Sequence, residues 1–195
     1  NSQRDQSNGL GELSSFKTLD GSFTLKSNNF KESFHSKFGA KKEANQKFIA
    51  PAELNRFNNK KEFFVLDVCF GLGYNTACLI EALEKNTTLL NWWGLEIDKR
   101  PLNIALENSV FVSNCSEKAI RILKALNKNG TWNERHSKGM ILWGDARQTI
   151  NEVPCNGSFD LIMLDAFSPK KCPQLWSQEF IKALISKLAE NGRLI

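Results

Sequence analysis

The sequence predicts an α/β fold in which a mostly parallel sheet carries helices on both faces. Apolar runs typical of buried strands alternate with segments whose apolar residues recur at helical spacing. This alternation is typical of βα units, in which a helix connects two parallel strands. At 195 residues, 41% of them hydrophobic, the chain is long enough to bury one full core and short for two.

The first 45 residues differ from the rest of the chain. Residues 1–15 are polar and carry no apolar signal region, which favours a cytoplasmic protein. Phe16 to Leu25 predicts a β-hairpin, because Asp20-Gly21 between short runs of strand-forming residues favours a two-residue turn. We therefore expect a leader with a small β appendage over residues 1–45 and a sheet domain over 46–195.

The sheet domain is expected to follow a regular order of elements. They are a helix over 41–57 interrupted or restarted at Pro51, a strand over 62–67, a helix over 75–85, a strand over 89–97, helices over 101–106 and 117–126, strands over 139–143 and 158–165, and a helix over 176–189. Asn191-Gly192 is expected to end the last helix. Gly192 to Ile195 then begins a fifth strand, so we expect the C-terminal strands of the sheet to be missing from this chain.

Composition excludes several classes of function. No apolar run approaches the ~20 residues that cross a membrane. The five cysteines are odd in number and form no C-x-x-C pair, and there are two histidines, so neither a disulfide framework nor a metal site is expected. The net charge of +5 is a mild indication of a polyanionic partner. A monomer is the expected oligomeric state.

A glycine turn follows the first strand of the sheet domain, in the run Asp67 to Thr76. Glycines at 71 and 73 allow a sharp turn and a close approach of ligand to backbone. Glu96 ends the next strand, where a carboxylate can accept both hydroxyls of a ribose. The expected cofactor-binding residues are Asp67, Cys69, Phe70, Gly71, Gly73, Asn75, Glu96, Ile97, Asp145 and Ala146.

S-adenosylmethionine fits this pattern better than a nicotinamide dinucleotide. Asp67 precedes the first glycine by four residues, where a carboxylate can reach the ammonium of a methionine. Asp145 closes the third strand and can accept from an adenine amino group. The third glycine of the dinucleotide fingerprint is replaced by Thr76. Taken singly, each acid is equally well explained as a cap or an ion pair, and it is their conjunction that favours a cofactor site.

Asp165 is the expected catalytic residue, because it ends the fourth strand where ligands bind in open sheets. Methyl transfer is an in-line displacement that depends on positioning. An amine acceptor, with a pKa near ~10, must lose a proton before it attacks. A nearby carboxylate stabilises the ammonium, so Asp165 is expected to aim the nitrogen first and relay its proton second. The alternative is that Asp165 only caps the loop.

The residues after Asp165 predict an acceptor-binding loop. Phe167 and Trp176 are expected to stack on a base, although Trp176 is equally well explained by packing at a helix start. Pro169 would stiffen the loop. Lys170 and Lys171 would meet phosphates.

With these residues in view, the chain resembles the MnmC/MnmD family of bacterial S-adenosylmethionine-dependent tRNA methyltransferases. The first and last matching blocks are specific, and the middle ones are shared with many methyltransferases. The blocks are Glu32-Ser-Phe-His-Ser36 with Gly39-Ala40 and Glu43-Ala44, Cys69 to Asn75, Gly94-Leu-Glu96, Gly144-Asp145, and Asp165 to Pro169 through Lys171, Pro173 and Trp176.

The resemblance implies a Rossmann-like class I methyltransferase fold and methylation of the aminomethyl group of 5-aminomethyl-(2-thio)uridine at the wobble position, with the tRNA anticodon loop as partner. It implies that Asp165 is catalytic and that Glu32, Ser33 and His35 lie near the substrate. The remaining expected substrate-binding residues are Phe167, Pro169, Lys170, Lys171 and Trp176. The chain departs from the family at Cys172, where asparagine is expected, and it lacks the oxidase half of the bifunctional members.

Two other functions remain open at this point. An aminopropyltransferase of the spermidine-synthase type also uses an amine acceptor and an Asp loop, but Lys170-Lys171 would repel a polyamine. The second open function is a non-catalytic Rossmann-like module that binds RNA or a partner. The intact run of polar strand ends argues against it, and the expected truncation argues for it.

Overall fold

The computed structural model describes residues 10–37, 39–154 and 156–195 of the chain. Its strands are β1 Leu13–Lys17, β2 Phe23–Ser27, β3 Glu32–Ser33, β4 Glu62–Val68, β5 Leu89–Glu96, β6 Thr131–Asn133, β7 Ser137–Trp143, β8 Phe159–Leu164 and β9 Leu188–Leu194. Its α-helices are α1 Ala40–Ala44, α2 Ala50–Ala52, α3 Tyr74–Ala82, α4 Arg100–Glu107, α5 Ser109–Asn114, α6 Glu117–Asn129, α7 Ala146–Thr149 and α8 Gln178–Lys187. None of the helices described here is long and apolar enough to span a bilayer.

The predicted fold class is confirmed. A three-stranded antiparallel sheet, β1-β2-β3, precedes a six-stranded sheet of order β6-β7-β5-β4-β8-β9. All pairs in the larger sheet are parallel except β6 with β7. One apolar cluster packs α3, α4 and α6 on one face, and a second packs α7 and α8 on the other. The carboxyl ends of β4, β5, β7 and β8 therefore meet at one edge, where ligands bind in such folds.

The predicted hairpin forms, but its connection is longer than two residues. Strand β1 pairs antiparallel with β2, and the loop runs from Thr18 to Ser22. The Asp20 carboxylate accepts from the Thr18 hydroxyl at 2.6 Å and the Ser22 amide at 2.9 Å, which stabilises the wider loop. Of the predicted leader, residues 1–9 lie outside the described residues, and Leu10 is buried.

The helix predicted over 41–57 is shorter and irregular. Between α1 and α2 lies a π-helical turn, Asn45–Ile49, and Pro51 lies within α2. Proline has no backbone N–H to donate, and its ring clashes with the carbonyl four residues earlier. A wider turn before Pro51 relieves this clash. Glu53, with a φ of 48°, ends the helix, and a 3₁₀ turn follows over Leu54–Phe57.

The C-terminal elements also differ from the prediction. A 3₁₀ turn, Pro173–Trp176, precedes α8, which ends at Lys187 and is not capped by Asn191-Gly192. Those two residues lie inside β9, where the pairing with β8 shifts register. Asn191 has a φ of 63°, and a Cβ on Gly192 would lie 2.5 Å from the Phe159 carbonyl oxygen. The turn residues therefore form a bulge, and the fifth strand begins at residue 188.

Four short elements were not predicted, namely β3, α5, β6 and α7, and two of them show why. Asn108 accepts a hydrogen bond from the Phe111 amide at 3.0 Å and begins α5. Strand β6 holds Trp132, which is buried against Trp92 at 5.2 Å between ring centroids. Both elements are too short for periodicity to reveal them.

Candidate active site

A cavity of about 1260 Å³ opens at the carboxyl ends of β4, β5, β7 and β8. It is larger than the ~300–1,000 Å³ of most small-molecule pockets, so a cofactor and an acceptor group fit together. The predicted residues that line it are Glu32, Ser33, His35, Cys69, Phe70, Gly71, Asn75, Glu96, Ile97, Asp145, Ala146, Asp165, Phe167, Lys171 and Trp176. Four predicted residues do not line it, namely Asp67, Gly73, Pro169 and Lys170.

The glycine turn after β4 forms the floor of the cavity. The amides of Cys69 and Phe70 both donate to the Leu95 carbonyl, at 2.9 and 3.2 Å. Gly71 has a φ of 60° and lines the cavity. Gly73 has a φ of 101°, and a Cβ there would lie 3.0 Å from the Phe70 ring. Gly73 therefore permits the turn and the packing beneath it, whereas Gly71 is open to a ligand.

Glu96 is a buried carboxylate at the end of β5 that lines the cavity. Its Oε1 accepts from the Gly71 amide at 2.7 Å, and its Oε2 accepts from the Asp98 amide at 2.9 Å. Burial raises the pKa of Glu96 to about 7. Each oxygen keeps a further lone pair, so the carboxylate is held in a fixed orientation and fits a pair of ligand hydroxyls.

Asp67 does not reach the cavity, contrary to the prediction of a direct cofactor contact. It lies one residue before the end of β4, with its side chain on the α3 face of the sheet. The Thr76 hydroxyl donates to Asp67 Oδ2 at 2.6 Å, and the Trp92 indole donates to the Thr76 hydroxyl at 2.9 Å. Asp67 Oδ1 is buried and has no hydrogen-bond partner in the described part of the chain. Burial raises the pKa of Asp67 to about 7.

Asp67→Asn is expected to flatten the pH dependence of stability. With a pKa raised from 3.8, the folded state binds the proton more tightly than the unfolded chain, so the contribution of Asp67 is complete at low pH and is lost as pH rises through 7. Urea unfolding of the ligand-free protein between pH 5 and 8 measures this. The exposed Glu179→Gln variant is the control. A wild-type slope in the Asp67 variant would contradict the assignment.

Asp165 follows β8 and enters the cavity with a fixed orientation. Its amide donates to the Val68 carbonyl at 3.1 Å, and its Oδ2 accepts from Asn75 Nδ2 at 2.9 Å. Burial raises the pKa of Asp165 to about 6, with Glu43 raising it further and Lys47 opposing. Asn75 Oδ1 is buried without a hydrogen-bond partner among the residues described. This orphaned acceptor fits an N–H donor such as the ammonium of a methionine-type cofactor.

Glu43 and Lys47 are cavity residues to which sequence reasoning gave no role. Lys47 Nζ lies 2.8 Å from Glu43 Oε1, and both side chains line the cavity. The hydrogen bond to Glu43 raises the pKa of Lys47, and the charges of Glu43 and Asp165 raise it further, while burial opposes them. Four residues apart, they have the pattern of an ordinary solvated helical pair. Glu43 lies in α1 and Lys47 in the π turn that follows, and nothing in the sequence revealed that both would line the cavity.

The loop from Asp165 to Trp176, here called the acceptor loop, is held by residues of the N-terminal region. The Phe167 ring stacks on Phe30 at 4.8 Å and meets Phe34 edge-on at 5.3 Å. The Trp176 indole donates to the Phe167 carbonyl at 2.7 Å. One face of Phe167 is thus occupied by protein, whereas Trp176 is 38% exposed.

Glu32 binds the acceptor loop, although the prediction placed it against the substrate. Its carboxylate accepts from the Ser168 amide at 3.1 and 3.2 Å and from the Ser168 hydroxyl at 2.9 Å. These hydrogen bonds join β3 to the loop that follows β8. Glu32 therefore shapes the acceptor side of the cavity by fixing its wall.

Asp145 and Lys171 line the cavity, whereas Lys170 lies on the surface outside it. Asp145 accepts from the Arg147 amide at 3.0 Å as the N-cap of α7, and it lies 2.6 Å from the Arg147 guanidinium, which lowers the pKa of Asp145. It also lines the cavity, so capping and ligand contact are compatible. Lys171 lines the cavity, and Lys170 is exposed outside it. No cluster of metal-ligating side chains occurs in the described ranges.

Comparisons with known proteins find methyltransferases among the similar proteins. A family model described as S-adenosyl-L-methionine-dependent methyltransferase matches residues 115–195. An uncharacterized protein of Methanocaldococcus jannaschii is 34% identical over 188 residues, covering 91% of this chain and 48% of that protein. The structure of MnmC2 from Aquifex aeolicus superposes with a TM-score of 0.79 and 29% identity, covering 95% of this chain and 59% of that chain. Over most of its length the chain is thus similar to MnmC2, and over residues 115–195 to S-adenosylmethionine-dependent methyltransferases.

The second curated relative is an MnmC protein. The tRNA 5-methylaminomethyl-2-thiouridine biosynthesis bifunctional protein MnmC of Campylobacter hominis is 27% identical over 169 residues, covering 82% of this chain and 24% of that protein. The chain thus spans about half the length of the first curated relative and about a quarter of the second. The cofactor predicted from the sequence is the one that the matched family uses.

The link between Glu32 and Ser168 leads to a test by double-mutant cycle. Glu32→Gln and Ser168→Ala are each expected to lower turnover about tenfold, because a charge-assisted hydrogen bond to the loop is weakened. Together they are expected to cost little more than either alone, since they break one interaction. Methyl-transfer rates measure the cycle, and cofactor affinity should stay constant. Additive losses would mean that Glu32 acts elsewhere.

Proposed function

We propose that the chain transfers a methyl group from S-adenosylmethionine to the aminomethyl nitrogen of 5-aminomethyl-(2-thio)uridine at the wobble position of tRNA. The observation that carries the proposal is the placement of Asp165, held by Asn75, in the same cavity as Glu96. Strand ends suited to a nucleoside cofactor and a carboxylate suited to an amine thus share one space. A tRNA substrate would place the reaction in the cytoplasm.

Three of the cavity residues have distinct roles in this reaction. When bound, S-adenosylmethionine supplies an electrophilic methyl carbon, whose bond to sulfur breaks as its bond to nitrogen forms. Glu96 would accept the two ribose hydroxyls, and Asn75 Oδ1 would accept from the methionine ammonium. Asp165 would accept an N–H of the acceptor amine and so direct the nitrogen lone pair at the methyl carbon. The raised pKa of Asp165 makes it a better proton acceptor than an exposed aspartate, and the proton passes on to solvent.

Two residues of the acceptor loop support an RNA acceptor. Lys171 lines the cavity together with the exposed ring of Trp176. Cations suit the phosphates of an anticodon loop, and an aromatic ring suits an unstacked base. A wobble base is already outside a duplex, so turning it into the cavity costs little.

The experiment uses the purified protein, labelled S-adenosylmethionine and synthetic anticodon stem-loops. One stem-loop carries 5-aminomethyluridine at the wobble position, and its control carries unmodified uridine. Label is expected only in the first, as a methylaminomethyl product by mass spectrometry. A third reaction offers putrescine with the decarboxylated cofactor. Transfer to putrescine, or no transfer to RNA by protein that binds the cofactor, would overturn the proposal.

A further inference from the structure

His35 lines the cavity, and one nitrogen of its ring is left for a ligand. Its side chain is 8% exposed, and it lines the cavity wall formed by the N-terminal region. Nδ1 lies 2.7 Å from the hydroxyl oxygen of Thr24, and the ring meets Tyr74 edge-on at 5.0 Å. No hydrogen bond of Nε2 occurs among the described residues. Because His35 lines the cavity and Thr24 takes Nδ1, we infer that Nε2 is the ring nitrogen available to a ligand there.

The Thr24 hydroxyl decides which nitrogen carries the proton. Thr24 is fully buried. Within the described chain, the one hydrogen-bond partner of its hydroxyl is Nδ1 of His35. If Nδ1 carried the proton, the hydroxyl hydrogen of Thr24 would be buried without an acceptor, which costs free energy. If the hydroxyl donates to Nδ1, both groups are satisfied and the proton resides on Nε2.

The ring is also neutral in the working range of pH. Burial is the main cause that lowers the pKa of His35 to about 4, and Lys47 lowers it as well, while Glu43 opposes. A neutral ring does not repel an ammonium group in the same cavity. The neutral ring offers one N–H donor. A fixed donor in a cavity that is partly shielded from water discriminates strongly against ligands that lack a hydrogen-bond acceptor.

We propose that His35, held by Thr24 as the Nε2–H tautomer, donates to the carbonyl oxygen beside the substituted carbon of the acceptor pyrimidine and so selects uracil over cytosine. The proposal rests on the proposed function, because it needs a pyrimidine acceptor substituted at C5. In uracil the neighbouring C4 carries an oxygen acceptor, whereas in cytosine it carries an amino donor. Two donors facing each other would exclude the cytosine analogue.

The tautomer is tested without any activity measurement. The chain holds two histidines, His35 and His136, so ¹⁵N spectra of histidine-labelled protein are simple to assign with a His136→Gln variant. At pH 7 the His35 ring is expected to show a protonated Nε2 and an unprotonated Nδ1. Thr24→Val should weaken this preference, because it removes the donor to Nδ1. A ring protonated at Nδ1 in the wild-type protein would overturn the proposal.

The selectivity is tested with stem-loops that carry 5-aminomethyluridine or 5-aminomethylcytidine. The wild-type protein is expected to favour the uridine substrate by about 10- to 100-fold in kcat/KM. His35→Phe, which keeps an aromatic ring without the donor, should reduce that ratio to near one. His35→Gln, whose amide places an N–H near the position of Nε2, should retain part of it.

The possible failures are distinguishable. If the wild-type protein methylates neither RNA, the proposed function is wrong. If it methylates the uridine substrate and the Phe variant discriminates as well as the wild type, the role of His35 is wrong while the proposed function stands. Should the Phe variant fail to fold, the Thr24→Val ratio decides, and an unchanged ratio together with an unchanged tautomer contradicts the proposal.

Discussion

Asp165→Asn is expected to lower the turnover of methyl transfer by about 10²- to 10³-fold, within the range for loss of an acid–base group. The amide oxygen of the new side chain can still accept from Asn75, so the loop geometry is retained. Binding of S-adenosylmethionine, measured by calorimetry, is expected to change less than about threefold, because the carboxylate serves the acceptor. Single-turnover methylation of the aminomethylated stem-loop measures the rate.

The pH profile separates the role of Asp165 from a structural one. Since burial raises its pKa to about 6, the wild-type rate is expected to rise with pH through that value, as the carboxylate forms. The Asn variant should lack this rise. The exposed Glu179→Gln variant of α8 is the matched control and should keep both rate and profile. An equal loss of turnover and cofactor affinity in Asp165→Asn would contradict the assigned role.

Glu96→Ala is expected to weaken S-adenosylmethionine binding by about 10²-fold or more, the second large effect. Hydrogen bonds to a charged group contribute roughly 1.5–3 kcal/mol each, and two ribose hydroxyls would lose their acceptor. The amides of Gly71 and Asp98 lose theirs as well, which loosens the glycine turn. Calorimetry with S-adenosylmethionine and S-adenosylhomocysteine measures the loss.

A conservative change provides the control for Glu96. Glu96→Gln keeps one oxygen acceptor and the side-chain volume, so its loss of affinity is expected to be several-fold smaller than that of the alanine variant. Thermal unfolding of both variants without ligand reveals any loosening of the fold. Equal affinities in the wild type and Glu96→Ala would show that the cofactor does not contact this carboxylate.

Local patterns account for the parts of the site that could be predicted. Each strand and the glycine or carboxylate that follows it are close together in the sequence. Because parallel strands bring their carboxyl ends to one edge of the sheet, Gly71, Glu96 and Asp165 could be expected to lie in one cavity. Asp67 shows the limit of this reasoning. Strand side chains alternate between faces, so an error of one residue in the strand end moves a side chain from the cavity to the helix face.

Contacts between distant segments account for what could not be predicted. Glu32 was expected to lie near the substrate. Nothing in the sequence shows that Ser168, far away in the chain, donates hydrogen bonds to its carboxylate. Glu43 and Lys47 line the cavity at the junction of α1 with a π turn, and such a turn has no reliable sequence pattern. The free nitrogen of His35 depends on Thr24, a neighbour across the small sheet.

The contact between Glu32 and Ser168 spans 136 residues of chain and sets an order of assembly. During synthesis the hairpin emerges early and must wait until β8 and its loop have left the ribosome. Contacts of such long range form late, because a large loop must close first. The half of the cavity that faces the cofactor can thus be complete while the half that faces the acceptor is still open.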